Sequence, residues 1–596
     1  MTAIDRRSFL TGALATGALA AGSAMFGCSP AAEPEAPAEA PEAASGPKWS
    51  VQPASVADQV ASAEDFDIVI VGAGNSGMIA ALRAAENGAK VAVLEQTNAP
   101  TMWAGDIDAC DSQLMKDAGF EADKEFIIHD LVRYASGKCN ESLIRLWAYN
   151  SGAFVDWYQA NLQKKGADVM IDIHKKKFYP DNFYFTNVYH TAYQPPLQET
   201  ANPMGSEVAM PILVELFGEA GGQIFFEHKA VELVQDETGR VTGIIAESAD
   251  GYTQFNAANG VLLATGGFLG NKDMMDEWGV VAHKYCSNHI GGEGRNGDGI
   301  KLATWAGGAK DNSSAGSMLI FDRGCITSAP DNGGIGHLPE QQGGTSPNFW
   351  WPGSQPFLRV NALGQRFCNE DNTYDFCFNQ GVEQPGHFWW QVFDDSSWED
   401  VVSFGTTICS RLVAVEGAKN CLLLGQFFPC RNDEEWHEVY VNPNVENGNV
   451  IKCDTLEELA DAMGFDAEAK ANFLATVERY NGLAAAGEDT DFHKAPFRLT
   501  AIDQPPYYAS KLAGWALATL SGIRVNDQMQ AIDYEGKAIE GLYMAGLDVG
   551  GFFNGNYPQL YGGLCMGRCV TLAWLAADAM CGKEYPVPVE SAKNAF

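Results

Sequence analysis

The chain has 596 residues, 46% of them hydrophobic and 19% charged, enough for a large core but too long for one compact domain, so two or more domains are expected. Its 39 Lys+Arg against 76 Asp+Glu give a net charge of −37, which leaves no electrostatic footprint for a phosphate backbone and argues against a nucleic-acid partner. Fourteen cysteines scattered through so long a chain, without a Cys-x-x-Cys pair, exclude a disulfide framework, a zinc ribbon and a c-type haem; they read as mostly buried thiols, and no metal site is expected.

At the N-terminus, Asp5-Arg6-Arg7-Ser8-Phe9-Leu10 and the Ala/Gly/Leu-rich run from Thr11 to Phe26 resemble a twin-arginine export signal, assigned to residues 1–28. The run is shorter and richer in small residues than a bilayer span, and no later stretch reaches about 18 uninterrupted apolar residues. Met25-Phe26-Gly27-Cys28 resembles a loose lipoprotein box, with Met25 where leucine is usual; lipidation of Cys28 and simple cleavage nearby both stay open. Residues 29–60 read as a linker whose Pro30-to-Pro47 part is proline-stiffened and acidic, a tether that holds a globule off a membrane. The protein is expected at the extracytoplasmic face of the cell membrane or in the periplasm, with membrane contact only through the signal or a lipid anchor.

The next stretch carries a dinucleotide fingerprint. Phe66 to Val71 reads as a buried parallel strand, Gly72-Ala73-Gly74-Asn75-Ser76-Gly77 follows at once, and a helix runs to Asn87-Gly88 before a second strand, Lys90 to Leu94, which ends in Glu95. Gly72 makes the tight turn, Gly74 lets the backbone approach a pyrophosphate, and Gly77 lets helix and strand pack closely. The helix N-terminus favours the anion, and Glu95 is placed to accept from a ribose hydroxyl. Farther on, Gln223 to Thr265 reads as strands broken at Asp236-Glu237-Thr238-Gly239 and Ala249-Asp250-Gly251, closing on Leu262-Leu263-Ala264-Thr265-Gly266-Gly267-Phe268. Gly297-Asp298-Gly299 opens a helix to Trp305, and Gly541-Leu542-Tyr543-Met544-Ala545-Gly546-Leu547-Asp548-Val549-Gly550-Gly551 stands near the C-terminus.

In combination these motifs resemble the flavoprotein family of fumarate reductases, the flavodomain of flavocytochrome c, urocanate reductase and the 3-ketosteroid dehydrogenases, over residues 64 to about 580. The resemblance implies an α/β architecture: a Rossmann-type FAD-binding domain in two chain segments, 61–309 and 506–596, with an inserted α+β capping domain, 310–505, that closes over the flavin. It implies FAD held by Gly72, Gly74, Asn75, Ser76, Gly77 and Glu95, by Ala264, Thr265, Gly266, Gly267 and Asp298, and by Gly546, Asp548, Gly562, Gly563 and Leu564. Asp548 is taken to replace a glutamate usual in the family, facing the ribityl chain. The histidine that carries covalent FAD in some relatives has no counterpart in Ala99 to Gln113, so non-covalent FAD is expected. The clusters Phe349-Trp350-Trp351 and Phe388-Trp389-Trp390 read as core or interface more readily than pocket, and a coil-like insertion, Phe178 to Pro203 with Tyr184, Tyr189 and Tyr193, could form a lid. Cys565 and Cys569, four apart on one helix face, read best as core packing.

Departures from the family's pattern bear on substrate. The fumarate branch has Thr-Thr-Arg-Asp where this chain has Asn372-Thr373-Tyr374-Asp375, His-Thr-Met-Gly-Gly where it has Ala518-Thr519-Leu520-Ser521-Gly522, and an arginine in the loop that here runs Gly555-Asn556-Tyr557-Pro558-Gln559-Leu560-Tyr561. A dicarboxylate buried there would lack a charged partner, which is costly. The ketosteroid branch also carries tyrosine at the position of Tyr374 and Tyr-Pro at that of Tyr557-Pro558, and there tyrosines exchange protons with carbon and polarise a carbonyl. The resemblance therefore implies an oxidoreductase acting on an unsaturated, non-dicarboxylate small molecule, with Tyr374, Tyr557 and Tyr561 as catalytic candidates. With no haem motif and no second GxGxxG, electrons are expected from an external carrier, a membrane-associated cytochrome. A dehydrogenase running the other way and a non-catalytic flavin carrier are the alternatives; analogy with exported respiratory reductases favours reduction.

Overall fold

The structure is a computed structural model, and it describes residues 48–101, 107–117, 119, 121–171, 190–193, 206–289, 294–311, 318–326, 350–404, 412–413, 422–423, 432–558 and 561–590. The twin-arginine-like segment with Cys28, the Pro30-to-Pro47 tether, Phe349, Tyr184 and Tyr189 lie outside the described residues.

Strand β1 (Val60–Val71) pairs in parallel with β2 (Val91–Leu94) on one side and with β4 (Gly251–Leu263) on the other; β2 continues to β3 (Gln223–Phe225) and β4 to β5 (Ala538–Met544), all parallel. The Ile68-to-Val71 stretch of β1 is buried on both faces, as a strand in a covered parallel sheet requires. Helix α1 (Asn75–Glu86) joins β1 to β2, and the hairpin Lys229–Gln235/Val241–Ser248 adds antiparallel strands to β4. The C-terminal helix α2 (Leu564–Met580) returns to α1: Ser76 Oγ donates to the Cys569 carbonyl at 3.3 Å, and Arg83 pairs with the buried Asp578 at 2.7 Å. The two ends of the folded chain thus build one Rossmann-type layer.

Two boundaries differ from expectation. β1 begins at Val60 rather than Phe66, because its outer half pairs with residues 252–257 of β4. The expected linker is already packed at Lys48–Ser50, where Trp49 stacks edge-on against Trp278 at 4.8 Å and donates to Glu277 at 2.7 Å. A large indole with an apolar partner has reason to leave the tether.

A second sheet is organised by the long strand Tyr507–Thr519. It pairs antiparallel with Met318–Cys325, Trp389–Asp394 and Ile451–Cys453, and parallel with Cys286–His289, while Leu358–Val360 extends the far edge. The sheet crosses the boundaries expected at 310 and 506, because a strand buried along most of its length must pair its amides on both edges. Trp350, Trp389 and Trp390 are buried in these cores; Trp350 stacks on Phe393 at 5.7 Å and donates to Gln391 at 2.8 Å.

Behind the strand Leu358–Val360 lies a buried ionic cluster. Arg366 bridges Glu370 and Asp489, both at 2.7 Å, and Lys494 reaches Glu370 at 3.4 Å and the Tyr480 hydroxyl at 2.6 Å. Burial opposes ionisation of Asp489, but the Arg366 contact and the amides of Lys494 and Phe492 hold it well below the usual carboxylate range. Removing one member leaves an uncompensated buried charge. Asp489→Asn should therefore cost about 3–5 kcal/mol in chemical unfolding. Because the folded carboxyl is depressed, that contribution is complete above the ordinary aspartate range and is lost as pH falls through the lowered value, so variant and wild type should converge in strong acid.

Candidate active site

The turn after β1 is shaped by backbones that touch. Gly72 has φ of 102°, and a Cβ there would lie 2.4 Å from the Ala264 carbonyl; a Cβ on Gly77 would lie 1.9 Å from the Gly72 carbonyl. At Gly74 the nearest atom to such a Cβ is the Thr101 carbonyl at 3.7 Å, so this position is open. Gly74 also caps α1, with no side chain closing that helix end. A cleft of about 1360 Å³, counted to its open mouth, lies above this turn.

Glu95, at the end of β2, is 5% exposed and lines the cleft. Its carboxylate accepts from the Ala73 amide at 2.9 Å and from the Thr97 amide and hydroxyl at 2.9 and 2.8 Å, so it pins the glycine turn while facing the ligand space. Across from it stand Ala264, Thr265 and Gly266, then Asp298, which pairs with Lys301 at 2.6 Å. Arg295 contributes a half-buried guanidinium, pushed down to about 10 by the desolvation of the cleft wall. An open glycine turn at an uncapped helix N-terminus, a carboxylate at the end of β2 and a cleft-lining cation suit a diphosphate-linked dinucleotide with a ribose. The residues present fit FAD.

Of the expected contacts, Gly72, Gly74, Asn75, Ser76, Glu95, Ala264, Thr265, Gly266, Asp298 and Gly546 line the cleft, and Gly77, Gly267, Gly562, Gly563 and Leu564 stand behind it. Gly77 and Gly267 are packing glycines; a Cβ on Gly267 would lie 2.2 Å from the Thr519 hydroxyl. Gly563, at φ of 83°, starts α2. Asp548 corrects the sequence reading: Leu547 faces the cleft, while Asp548 is fully buried and accepts from the Thr265 hydroxyl and the Gly267 amide, both at 2.9 Å. Burial raises its carboxyl above the usual range. It clamps two cleft loops together rather than reaching a ribityl chain.

Cys565 and Cys569 also differ from expectation, since both line the cleft together with Met566. Their i, i+4 spacing was visible, but nothing local distinguishes a cleft-facing helix stripe from a core-facing one. Arg295 and Leu517 carried no motif signal, and Leu547 stood in the C-terminal motif without being singled out.

The tyrosines separate. Tyr561 is 1% exposed and donates to Asp130 at 2.8 Å, and Asp130 in turn pairs with Arg133. This corrects its assignment as catalytic: the hydroxyl is committed to a structural carboxylate. The Tyr557 hydroxyl accepts the Cys565 amide at 3.0 Å, beside a cleft-lining residue. Tyr374 opens the helix Tyr374–Val382, and its side chain lies outside the described residues. Around that helix start, the Tyr134 hydroxyl meets Thr373 at 3.1 Å and Asp375 at 3.4 Å. Burial pushes Asp375 up to about 7, against the pull of the Thr373 hydroxyl, local amides and Tyr134. Among the described residues no group of three or more His, Cys, Asp or Glu is placed to hold a metal ion, and no helix is long and apolar enough to cross a membrane.

A family model for the FAD binding domain matches residues 67–562. The chain belongs to this family. It is similar to a vinyl phenol reductase of Lactiplantibacillus plantarum, 25% identical over 85% of this chain and 94% of that one. It is also similar to a digoxin reductase of Eggerthella lenta, 25% identical over 93% of each chain. In fold it matches the open conformation of a flavocytochrome c3 fumarate reductase (TM-score 0.60, 22% identity, 88% of this chain and 79% of that one). It likewise matches a 3-ketosteroid dehydrogenase of Rhodococcus jostii (TM-score 0.63, 20% identity, 89% and 99%). The protein is an FAD-dependent oxidoreductase of the fumarate reductase-like type.

If Tyr561 serves structure alone, Tyr561→Phe should lower stability by about 1.5–3 kcal/mol, the value of a hydrogen bond to a charged group. Its FAD content and turnover should equal the wild type's, as read by flavin absorbance and by reoxidation of the reduced enzyme.

Proposed function

We propose that the protein reduces the C=C bond of an unsaturated, largely uncharged organic acceptor, taking electrons from an external carrier. The observation that carries this reading is the cleft wall at Leu517, Ala518 and Leu547. It is apolar where the carboxylate-handling branch keeps a histidine, so these three residues offer an acceptor's carboxylate no countercharge. The names of the vinyl phenol and digoxin reductases support the same substrate class, since neither names a carboxylate substrate.

Bound FAD supplies the hydride. The chain supplies the rest: Glu95 accepts from the ribose hydroxyls, the Gly72-to-Ser76 turn receives the diphosphate, and Arg295 offsets its charge. Tyr374 donates a proton to the acceptor carbon, which completes the addition of hydride and proton across the double bond. Tyr557 hydrogen-bonds the carbonyl or equivalent group whose electron density rises during transfer. A phenol suits both tasks because it donates without demanding an ion pair. Export through the twin-arginine-like segment, with the tether and a Cys28 lipid as anchor, would place the enzyme where a membrane-associated cytochrome could feed it.

The photoreduced holoenzyme should be reoxidised by enones or vinyl phenols faster than by fumarate; faster turnover of fumarate contradicts the reading. Tyr374→Phe should slow that reoxidation by about 10²–10⁴-fold, the usual contribution of a positioned general acid, with the flavin spectrum intact. Replacing Arg6 and Arg7 by Lys should strand folded, flavin-loaded protein in the cytoplasm, checked by cell fractionation.

A further inference from the structure

The C-terminal helix α2 turns two faces to different surroundings. Cys565, Met566 and Cys569 line the cofactor cleft, whereas Arg568, between them in sequence, is fully buried behind it. Its Nη1 donates to the Gly546 carbonyl at 3.1 Å and the Val549 carbonyl at 3.0 Å. The rings of Phe552 and Phe553 lie 5.9 and 5.4 Å from its guanidinium carbon. Among the described residues, Nε and Nη2 are buried without a hydrogen-bond partner and no carboxylate pairs with this side chain. Asp548, the buried acid of the same loop, is turned to Thr265 and Gly267.

A buried guanidinium without a countercharge is costly, and carbonyl dipoles and aromatic faces offset it only in part. The loop whose carbonyls it holds contributes Gly546 and Leu547 to the cleft. The charge therefore sits behind the loop and helix that form this part of the cleft wall, and its field reaches the cleft through protein of lower effective dielectric than water. A cofactor that takes up electrons gains negative charge in that field.

We propose that Arg568 is a redox-tuning residue, a fixed positive charge behind the cleft wall that favours the reduced over the oxidised state of bound FAD. It acts through its field and exchanges neither proton nor electron. Two electrons pass to FAD from the reductant, with protons drawn from solvent.

The test is the midpoint potential of the FAD-loaded enzyme, read against a reference dye during slow enzymatic reduction. In the wild type, bound FAD should be easier to reduce than free FAD. Arg568→Gln keeps amide donors for the two carbonyls but removes the charge, and should shift the oxidised-to-reduced ratio at fixed potential about tenfold toward oxidised, about 30 mV for a two-electron couple. Arg568→Lys keeps the charge and should stay near wild type. An unmoved potential in loaded Arg568→Gln would overturn the proposal, as would an equal fall in Arg568→Lys, which would make the effect one of geometry. Should the Gln variant not fold, a wild-type potential at or below that of free FAD overturns it alone.

Discussion

Everything in the cofactor region depends on three backbones meeting where no side chain fits. The turn after β1 touches the end of β4 through Gly72 and Ala264, and the first turn of α1 touches it through Gly77 and Gly72. Those contacts set the height of the floor on which the dinucleotide lies and aim the first amides of α1 upward. A single methyl group at either glycine would have to separate strand from strand or helix from strand, since the atoms it meets are backbone and cannot rotate away. Glu95 then ties the second strand to the same turn through the Ala73 amide, and Asp548 ties the β4 loop to the C-terminal segment. Floor and walls are thereby held by groups that accept from backbone amides.

Cations and carboxylates are interleaved around this floor. Arg295 lies half-buried in the cleft and Arg568 is buried behind it, while the carboxylates nearby are hydrogen-bonded or paired: Glu95 by amides, Asp298 by Lys301, Asp548 by Thr265 and Gly267. The protein as a whole carries strong negative charge, whereas around this floor Arg295, Arg568 and Lys301 stand against Glu95, Asp298 and Asp548. Toward Leu517, Ala518 and Leu547 the wall becomes apolar, and water-excluded chemistry on an uncharged group becomes reasonable there.

The glycine fingerprint was legible in the sequence because its requirement is local: only glycine can stand where a Cβ would enter a neighbouring carbonyl. The first two strands and the helix between them followed from the same pattern of apolar runs and turns. Side-chain direction in loops was not legible. Asp548 and Leu547 are adjacent, and which of them faces the ligand is decided by one peptide's orientation in the segment after β5. Tyr561 looked like a catalytic phenol until its partner appeared, and that partner, Asp130, is 431 residues away. Cys565 and Cys569 showed helical spacing but not which surface the helix would offer. Nor was the second sheet legible, for a related reason: the strand Tyr507–Thr519 takes its neighbours from four separate stretches of chain.

That strand joins what a domain diagram would keep apart. Its central residues hold the second sheet together, and its last turn of chain, Leu517 and Ala518, forms part of the cofactor cleft. The inserted region is therefore not a detachable module resting on a finished flavoprotein. Excising residues 310–505 would strip Met318–Cys325, Trp389–Asp394 and Ile451–Cys453 from the strand and leave its amides unpaired in an apolar setting. A minimal flavin-binding fragment would have to rebuild that wall. Over evolutionary time the same coupling ties any reshaping of the substrate side to the pocket that holds the cofactor, so new specificities are more readily reached by exchanging side chains along the wall than by exchanging whole caps.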